Sequence, residues 1–295
     1  MKYNIINACS DLGVHVNGSE KGPIILSNTV KNNKNINNIY TIEKEDFKKS
    51  LDKNDRAKNL NEVNKFNQKL YNKIQETVKN NIVPITLGGD HSIAIASALA
   101  SISKYNDLGI IWIDSHGDYN NFKTTISGNI HGLPFAAITN FEDTDKLVKY
   151  HSGNFYKNIN AVLVGARDVD ELEKENLKLA GITIFTTNDI KKYGARYIMN
   201  KAIKIASNNT NGIHISYDID VIDPKVAPGV SIPAINGITE QDAYNIMDII
   251  IKNKNLVKSM DIVEYNPDLD INDKTLNIAS KLLNDFLNKY KKLRK

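Results

Sequence analysis

Residues 108–113 form a short apolar run that breaks at once into Asp114-Ser115-His116-Gly117-Asp118. A continuous, partly β-branched apolar run suits a strand buried on both faces, as in a parallel sheet. The polar residues then fall in the turn just past the strand, where side chains at positions i, i+2 and i+4 can converge. Carboxylates and a neutral imidazole are the oxygen and nitrogen donors that Mn, Fe, Zn or Ni accept. The plain alternative is a polar loop whose charges are solvated, since motif matches carry false positives.

The same layout recurs along the chain. Strands are expected at residues 3–9, 82–87, 161–164, 182–186, 213–217 and 257–263, with a further short one near 39–42. Pro84 argues against a fully central ladder position for the second of these, or marks a bulge. Leu60, Val63, Phe66, Leu70, Ile74 and Val78 recur at helical spacing and predict an amphipathic helix over 57–79. Further helices are expected over 93–103, 171–180, from an Asn188 or Asp189 cap to 207, from a Thr239 cap to 252, and over 274–291. Residues 13–22, 31–55 and 119–134 read mainly as loop. Strands alternating with helices predict an α/β fold: one domain spanning residues 1–295, with a mostly parallel central sheet covered by helices on both faces.

The acidic clusters Asp90/His91, Asp114/His116/Asp118, Asp168/Asp170, Asp218/Asp220 and Glu264 all follow strands. Ligand crevices in open α/β sheets form outside the carboxyl ends of the strands. So many carboxylates at one edge would repel one another, and a bound cation makes them tolerable.

Bulk composition narrows the partners. The net charge is +4, but Lys and Arg are spread through the chain rather than blocked, so no nucleic-acid or membrane partner is expected. The basic end, Lys289 to Lys295, reads as a solvated helix C-terminus. The lone Cys9 cannot form an internal disulfide, which fits a reducing compartment, and it reads as a small buried apolar residue. The first residues lack the apolar core of a signal peptide, and no run approaches the ~20 apolar residues of a membrane span. A cytoplasmic location is expected.

His91, Asp114, His116, Asp118, Asp218 and Asp220 are six candidate metal ligands. That is too many for one ordinary site and suits two metals sharing a bridging carboxylate. Hard oxygen donors outnumber nitrogen and sulfur is absent, which favours Mn²⁺ over Zn²⁺. Two metals ~3.5–4 Å apart lower the pKa of a shared water and serve a hydrolase acting on a planar, electron-poor centre. Asp218 and Asp220, two apart, point the same way if both are still in the strand. Asp90 reads as a cap or supporting partner rather than a ligand, and Asp223-Pro224 as a turn. His131 has the unperturbed pKa to move a proton near neutrality. His151 reads as a surface residue and His214 as a strand residue packed against a neighbour.

Gly88-Gly89-Asp90-His91-Ser92, Asp114-Ser115-His116-Gly117-Asp118 and Ser216-Tyr217-Asp218-Ile219-Asp220-Val221-Ile222-Asp223-Pro224 resemble, in order and separation, the three signature motifs of the ureohydrolases: arginase, agmatinase and formiminoglutamase. The resemblance runs from Glu20-Lys21-Gly22-Pro23 to Glu264-Tyr265-Asn266-Pro267, nearly the whole chain. It implies two Mn²⁺ per subunit. His91, Asp114, Asp118 and Asp218 would hold one; Asp114, His116, Asp218 and Asp220 would hold the other. It further implies a bridging hydroxide oriented by Asp118, a guanidinium held by Glu264, and a proton shuttled by His131. A small-molecule guanidino substrate and a homotrimer or homohexamer follow from the same resemblance.

Within the family the chain looks most like arginase. By that likeness Asn120, Ser127 and Asn129 would read the α-carboxylate of arginine. Asp170 would meet the α-amino group through water, with Glu173 nearby. Two departures stand out: Ser115 replaces the usual alanine, and Ile232 stands where arginases carry a threonine, in a segment closer to formiminoglutamases. The expected reaction is cleavage of L-arginine to L-ornithine and urea. The alternatives are another ureohydrolase acting on agmatine, formiminoglutamate or a guanidino acid, a metal-binding paralogue without turnover, and a phosphoryl-transfer metalloenzyme.

Overall fold

The apolar runs assemble into one sheet. The computed structural model describes residues 1–46, 49, 55–79 and 82–288. Its strands are β1 (Tyr3–Cys9), β2 (Ile36–Glu43), β3 (Val83–Gly88), β4 (Gly109–Ile113), β5 (Ala161–Ala166), β6 (Thr183–Thr186), β7 (Ile213–Asp218) and β8 (Val257–Val263). They pair in the order β2-β1-β3-β8-β7-β4-β5-β6, every pair parallel. The helices are α1 (Gly22–Val30), α2 (Leu60–Lys79), α3 (Ala94–Tyr105), α4 (Pro134–Ile138), α5 (Glu171–Ala180), α6 (Thr187–Tyr193), α7 (Ala195–Ala206), α8 (Glu240–Lys252) and α9 (Lys274–Leu287).

Strand alternation sorts the core into two layers. Ile111 and Ile113 of β4 face one cluster with α1, α6, α7, α8 and α9 residues such as Leu26, Ile190, Met199, Ile246 and Leu282. Ile110 and Trp112 face the other, with Leu70 of α2, Leu99 of α3, Phe135 of α4 and Leu177 of α5. This is the α/β, three-layer arrangement expected, and the sheet is parallel throughout. No helix among the described residues is long and apolar enough to cross a membrane.

The sheet order decides where the site forms. β3, β4, β7 and β8 are dispersed in sequence, yet they are the four consecutive central strands β3-β8-β7-β4. Their carboxyl ends carry His91, Asp114 to Asp118, Asp218 with Asp220, and Glu264.

Several local expectations are corrected. β3 is an interior strand: Pro84 pairs only towards β1, and the β8 ladder begins at Ile85, so the missing N–H breaks no ladder bond to β8. Helix α1 was not anticipated; Gly22-Pro23 starts it, with proline in the first turn where no amide partner is needed. The helix expected up to residue 207 is divided at Gly194, whose φ of 87° ends α6, and the cap of α6 is Thr186 rather than Asn188 or Asp189. β7 ends at Asp218, and Asp220 lies in a 3-10 turn, Ile219–Val221. α9 ends at Leu287; residues 289–291 of the expected helix, and the basic tail, lie outside the described residues. His151 is buried, its ring edge-on to Tyr71 and Phe155, instead of lying on the surface. Cys9 is buried, as expected.

Candidate metal centre

Two foci of donor atoms lie at the carboxyl ends of the central strands. His91 Nδ1 faces Asp114 Oδ2 at 3.0 Å, Asp118 Oδ2 at 3.1 Å and Asp218 Oδ2 at 3.1 Å. His116 Nδ1 faces Asp220 Oδ2 at 2.9 Å and Asp114 Oδ1 at 3.4 Å. Asp114 thus turns one oxygen to each histidine. The groups His91, Asp114, Asp218 and Asp114, His116, Asp220 each bring their ligand atoms close enough to share one ion. Of the six candidate ligands five are buried, and His116 is partly exposed.

The residues fit a metal on their own chemistry. His91 Nδ1 and Asp118 Oδ2 are buried and make no hydrogen bond. Orphaned polar atoms at this depth are costly unless an ion completes them. His91 Nε2 lies 2.9 Å from Ser216 Oγ. A metal on Nδ1 would leave the proton on Nε2, where Ser216 Oγ stands ready to accept it. The indole of Trp112 stacks on the His91 ring at 4.1 Å between centroids and donates from Nε1 to Asp114 Oδ2 at 3.1 Å. Local turns aim the carboxylates. Asp114 Oδ1 accepts from His116 N at 2.7 Å, and Asp218 Oδ1 from Asp220 N at 2.7 Å. Asp118 needs a left-handed backbone, φ 50°, to turn inward.

The electrostatics are those of a crowded anionic cluster. Burial and the neighbouring Asp114 charge push Asp118 up to about 7. Burial, with Asp220 and Asp114 close by, raises Asp218 well above the usual carboxylate range, and Asp220 rises for like reasons. Asp114 is the carboxylate the cluster keeps ionised: burial opposes this, but His116 and His91 hold it low.

Glu264 and His131 adjoin the cluster. Glu264 Oε1 accepts from His91 N at 2.8 Å and lies 3.4 Å from His131 Nδ1. Glu264 Oε2 is buried with no partner, and the residue has φ 66°. Burial disfavours a charged His131, but Glu264, Asp118 and Asp90 outweigh it and raise the ring above its ordinary pKa. Asp90 is a cap, accepting from Ser92 N at 2.9 Å and Gly13 N at 3.0 Å. Asp223 closes a turn through Lys225 N and Gly237 N.

The remaining candidates lie in the long loop after β4, at the start of α5 and in the segment between β7 and α8. Asn120 is buried with its Oδ1 unpartnered. Ser127 is exposed, and its Oγ accepts from Asn129 N at 3.2 Å. Asn129 is buried and its side-chain amide donates to His15 Nδ1 at 2.9 Å. Asp170 is the exposed N-cap of α5. Glu173 is buried with both oxygens taken by backbone amides, Tyr119 N at 2.8 Å and Asp170 N at 3.2 Å. Burial pushes Glu173 up to about 8. Ile232 is half-buried; the preceding Ser231 accepts from Asn266 Nδ2 at 3.2 Å, beside Glu264.

Three supporting side chains escaped the sequence reading: Trp112, Ser216 and Ser115. Trp112 and Ser216 each precede a candidate ligand by two residues, so strand alternation puts them on the ligand's face. That signal was available. Ser115 stood out only as a departure from the usual alanine, and its hydroxyl donates to Asp220 Oδ1 at 2.8 Å.

Comparison with known proteins agrees with this fold. The model of the Arginase family matches residues 1–288. The chain is 37% identical over 230 residues to the arginase of Staphylococcus aureus strain COL, covering 78% of this chain and 75% of that one. It is 32% identical over 292 residues to the arginase of Bacillus subtilis strain 168, covering 97% of each. The native crystal structure of the Bacillus caldovelox arginase superposes with a TM-score of 0.90 at 32% identity, covering 99% of both chains.

Proposed function

This chain belongs to the arginase family, and on that premise we propose that it is a dinuclear manganese hydrolase that cleaves L-arginine to L-ornithine and urea. Hydrolysis of a guanidino C–N bond is the activity of the family; the metal and the substrate are our reading. The observation that carries it is the buried His91 Nδ1, ringed by three carboxylate oxygens at 3.0 to 3.1 Å without a hydrogen bond. His91, Asp114, Asp118 and Asp218 would hold one ion, and Asp114, His116, Asp218 and Asp220 the other. Four carboxylates against two imidazoles favour Mn²⁺. When bound, the pair supplies Lewis-acid activation of water near neutral pH.

The chain's own groups do the rest. The unpartnered Glu264 Oε2 accepts from the substrate guanidinium, a charge-assisted pairing matched in shape. Asp118 orients the attacking oxygen. His131 moves a proton to the departing amine. Asn120, Ser127 and Asn129 receive the α-carboxylate, and Asp170 meets the α-amino group through water. A site built to hydrogen-bond a carboxylate rejects agmatine, which lacks it.

The test is urea release from Mn²⁺-loaded protein with L-arginine and agmatine in parallel, against an EDTA-stripped control. Metal-dependent urea from arginine alone is expected. Urea from agmatine instead would overturn the roles of Asn120 and Ser127. With neither active, formiminoglutamate and other guanidino acids are next, because Val230-Ser231-Ile232 departs from arginases towards formiminoglutamases.

A further inference from the structure

The loop 125–129 is gripped from outside by a turn, residues 55–59, that takes no part in the chemistry above. The turn closes on itself where Asp55 Oδ1 accepts from Ala57 N at 2.9 Å. Its anchor is Asn59, which has φ 58°, donates from its side chain to Leu12 O at 2.8 Å, and immediately precedes α2.

From that base it makes three bonds to the loop's carbonyls. Lys58 N donates to Gly128 O at 3.0 Å. Lys58 Nζ donates to Ser127 O at 2.6 Å. Arg56 donates from its guanidinium to Thr125 O. The backbones touch: at Gly128, φ +71°, an added Cβ would lie 1.9 Å from Asp55 O.

With these carbonyls drawn to the clamp, the loop's donors are ordered. Gly128 N donates to Thr125 Oγ1 at 3.0 Å, and Asn129 N donates to Ser127 Oγ at 3.2 Å. Because the Ser127 oxygen is already an acceptor, its own proton remains to donate to an anion. On the other side, Asn129 Nδ2 donates to His15 Nδ1 at 2.9 Å. His15 suits that acceptor role: partial burial, then the charges of His131, Lys58 and Lys49, lower its pKa and keep it neutral.

We infer that Arg56 and Lys58 are positioning residues that hold the 125–129 loop in its anion-reading shape, and so set discrimination between carboxylate-bearing substrates and their decarboxylated analogues. This rests on the substrate reading proposed above. The two side chains act through the loop's carbonyls, with no contact to substrate required.

The test uses the full-length, Mn²⁺-loaded protein with Lys58→Met, the double variant Arg56→Met/Lys58→Met, and Lys58→Arg. Methionine keeps the aliphatic stem and removes the charge. Two readouts are taken: kcat and KM for L-arginine, set against the residual kcat/KM for agmatine measured at high enzyme concentration, and amide hydrogen exchange over 125–129. Misaligning one or two donors predicts a rise of about tenfold in the KM for arginine, with kcat within about twofold. Agmatine kcat/KM should be unchanged, exchange over 125–129 faster, and both effects reversed in Lys58→Arg. Equal losses on both substrates, or an unchanged arginine KM, would overturn the specificity role. Unchanged exchange in the double variant would overturn the clamp whatever the substrate. An unmodified enzyme that cleaves agmatine and not arginine would be a failure of the substrate reading, visible before any variant is made.

Discussion

Removing one hydroxyl should separate metal binding from stability at this centre. Ser216 lies on β7, two residues before Asp218 and on the same face, and its Oγ is 2.9 Å from His91 Nε2. Both residues are no more than 1% exposed, so in Ser216→Ala no solvent replaces the lost partner. A buried N–H left unsatisfied costs about 1–3 kcal/mol. For a chain of this size that lowers the melting temperature of the metal-free protein by roughly 2–10 °C. The metal effect is separate. With metal on Nδ1, Ser216 would accept the His91 Nε2 proton, and losing such an outer partner typically costs about 10- to 100-fold in affinity. The stacked Trp112 ring, 4.1 Å away, keeps the imidazole plane in place, so the loss should come from the tautomer and not from a rotated ring. The assay is Mn²⁺ titration against a competing chelator, with thermal melts of metal-free and loaded protein. An Mn²⁺ affinity within about twofold of the unmodified protein, even with a lowered melting temperature, would refute the argument.

Three further outcomes follow. In the metal-free fold Asp118 titrates near 7, above its unfolded value of 3.8, so the protonated form is the stabilised one; that stabilisation is present at low pH and lost as pH rises through 7. Metal must displace this proton, so Mn²⁺ affinity should climb between pH 6 and 8, and calorimetry in buffers of different ionisation heat should show proton release that Asp118→Asn reduces. His131→Asn should lower kcat by about 10²–10⁴-fold, the usual worth of a positioned proton carrier, with Mn²⁺ content by elemental analysis unchanged; near-normal kcat would remove His131 from proton transfer. Glu264→Gln should cut kcat/KM for arginine by about 10- to 150-fold, since a hydrogen bond to a charged group is worth about 1.5–3 kcal/mol, and steady-state kinetics showing a smaller loss would mean the guanidinium is held elsewhere.

Much of this protein is visible in one dimension because its signals are local. Residues 108–113 are apolar on both faces because a central parallel strand is buried on both faces, and the change to Asp114 marks where the strand meets solvent or ligand. The same reasoning located β3, β5, β7 and β8 to within a residue or two. It failed where a local cue competed with context. Pro84 argued against a fully central ladder position or marked a bulge, yet β3 is interior because the missing N–H falls before the β8 ladder begins. His151 lacked any motif and reads as a surface residue, but a distant Tyr71 and the nearby Phe155 bury it.

Local patterns along the chain specify which residue types could bind a metal, and that each lies at or just past the end of an apolar strand. They do so because strand periodicity, turn chemistry and ligand softness are properties of a few neighbouring residues. Tertiary structure alone decided that β3, β8, β7 and β4 stand side by side, bringing His91, Asp114, Asp218 and Glu264 to one edge across up to 173 positions of sequence. It alone put Ser216 behind His91, the Ser115 hydroxyl on Asp220, and the turn 55–59 against the loop 125–129. Strand order and loop docking depend on long-range packing of whole helix and sheet faces. No local pattern encodes which acidic strand end will meet which.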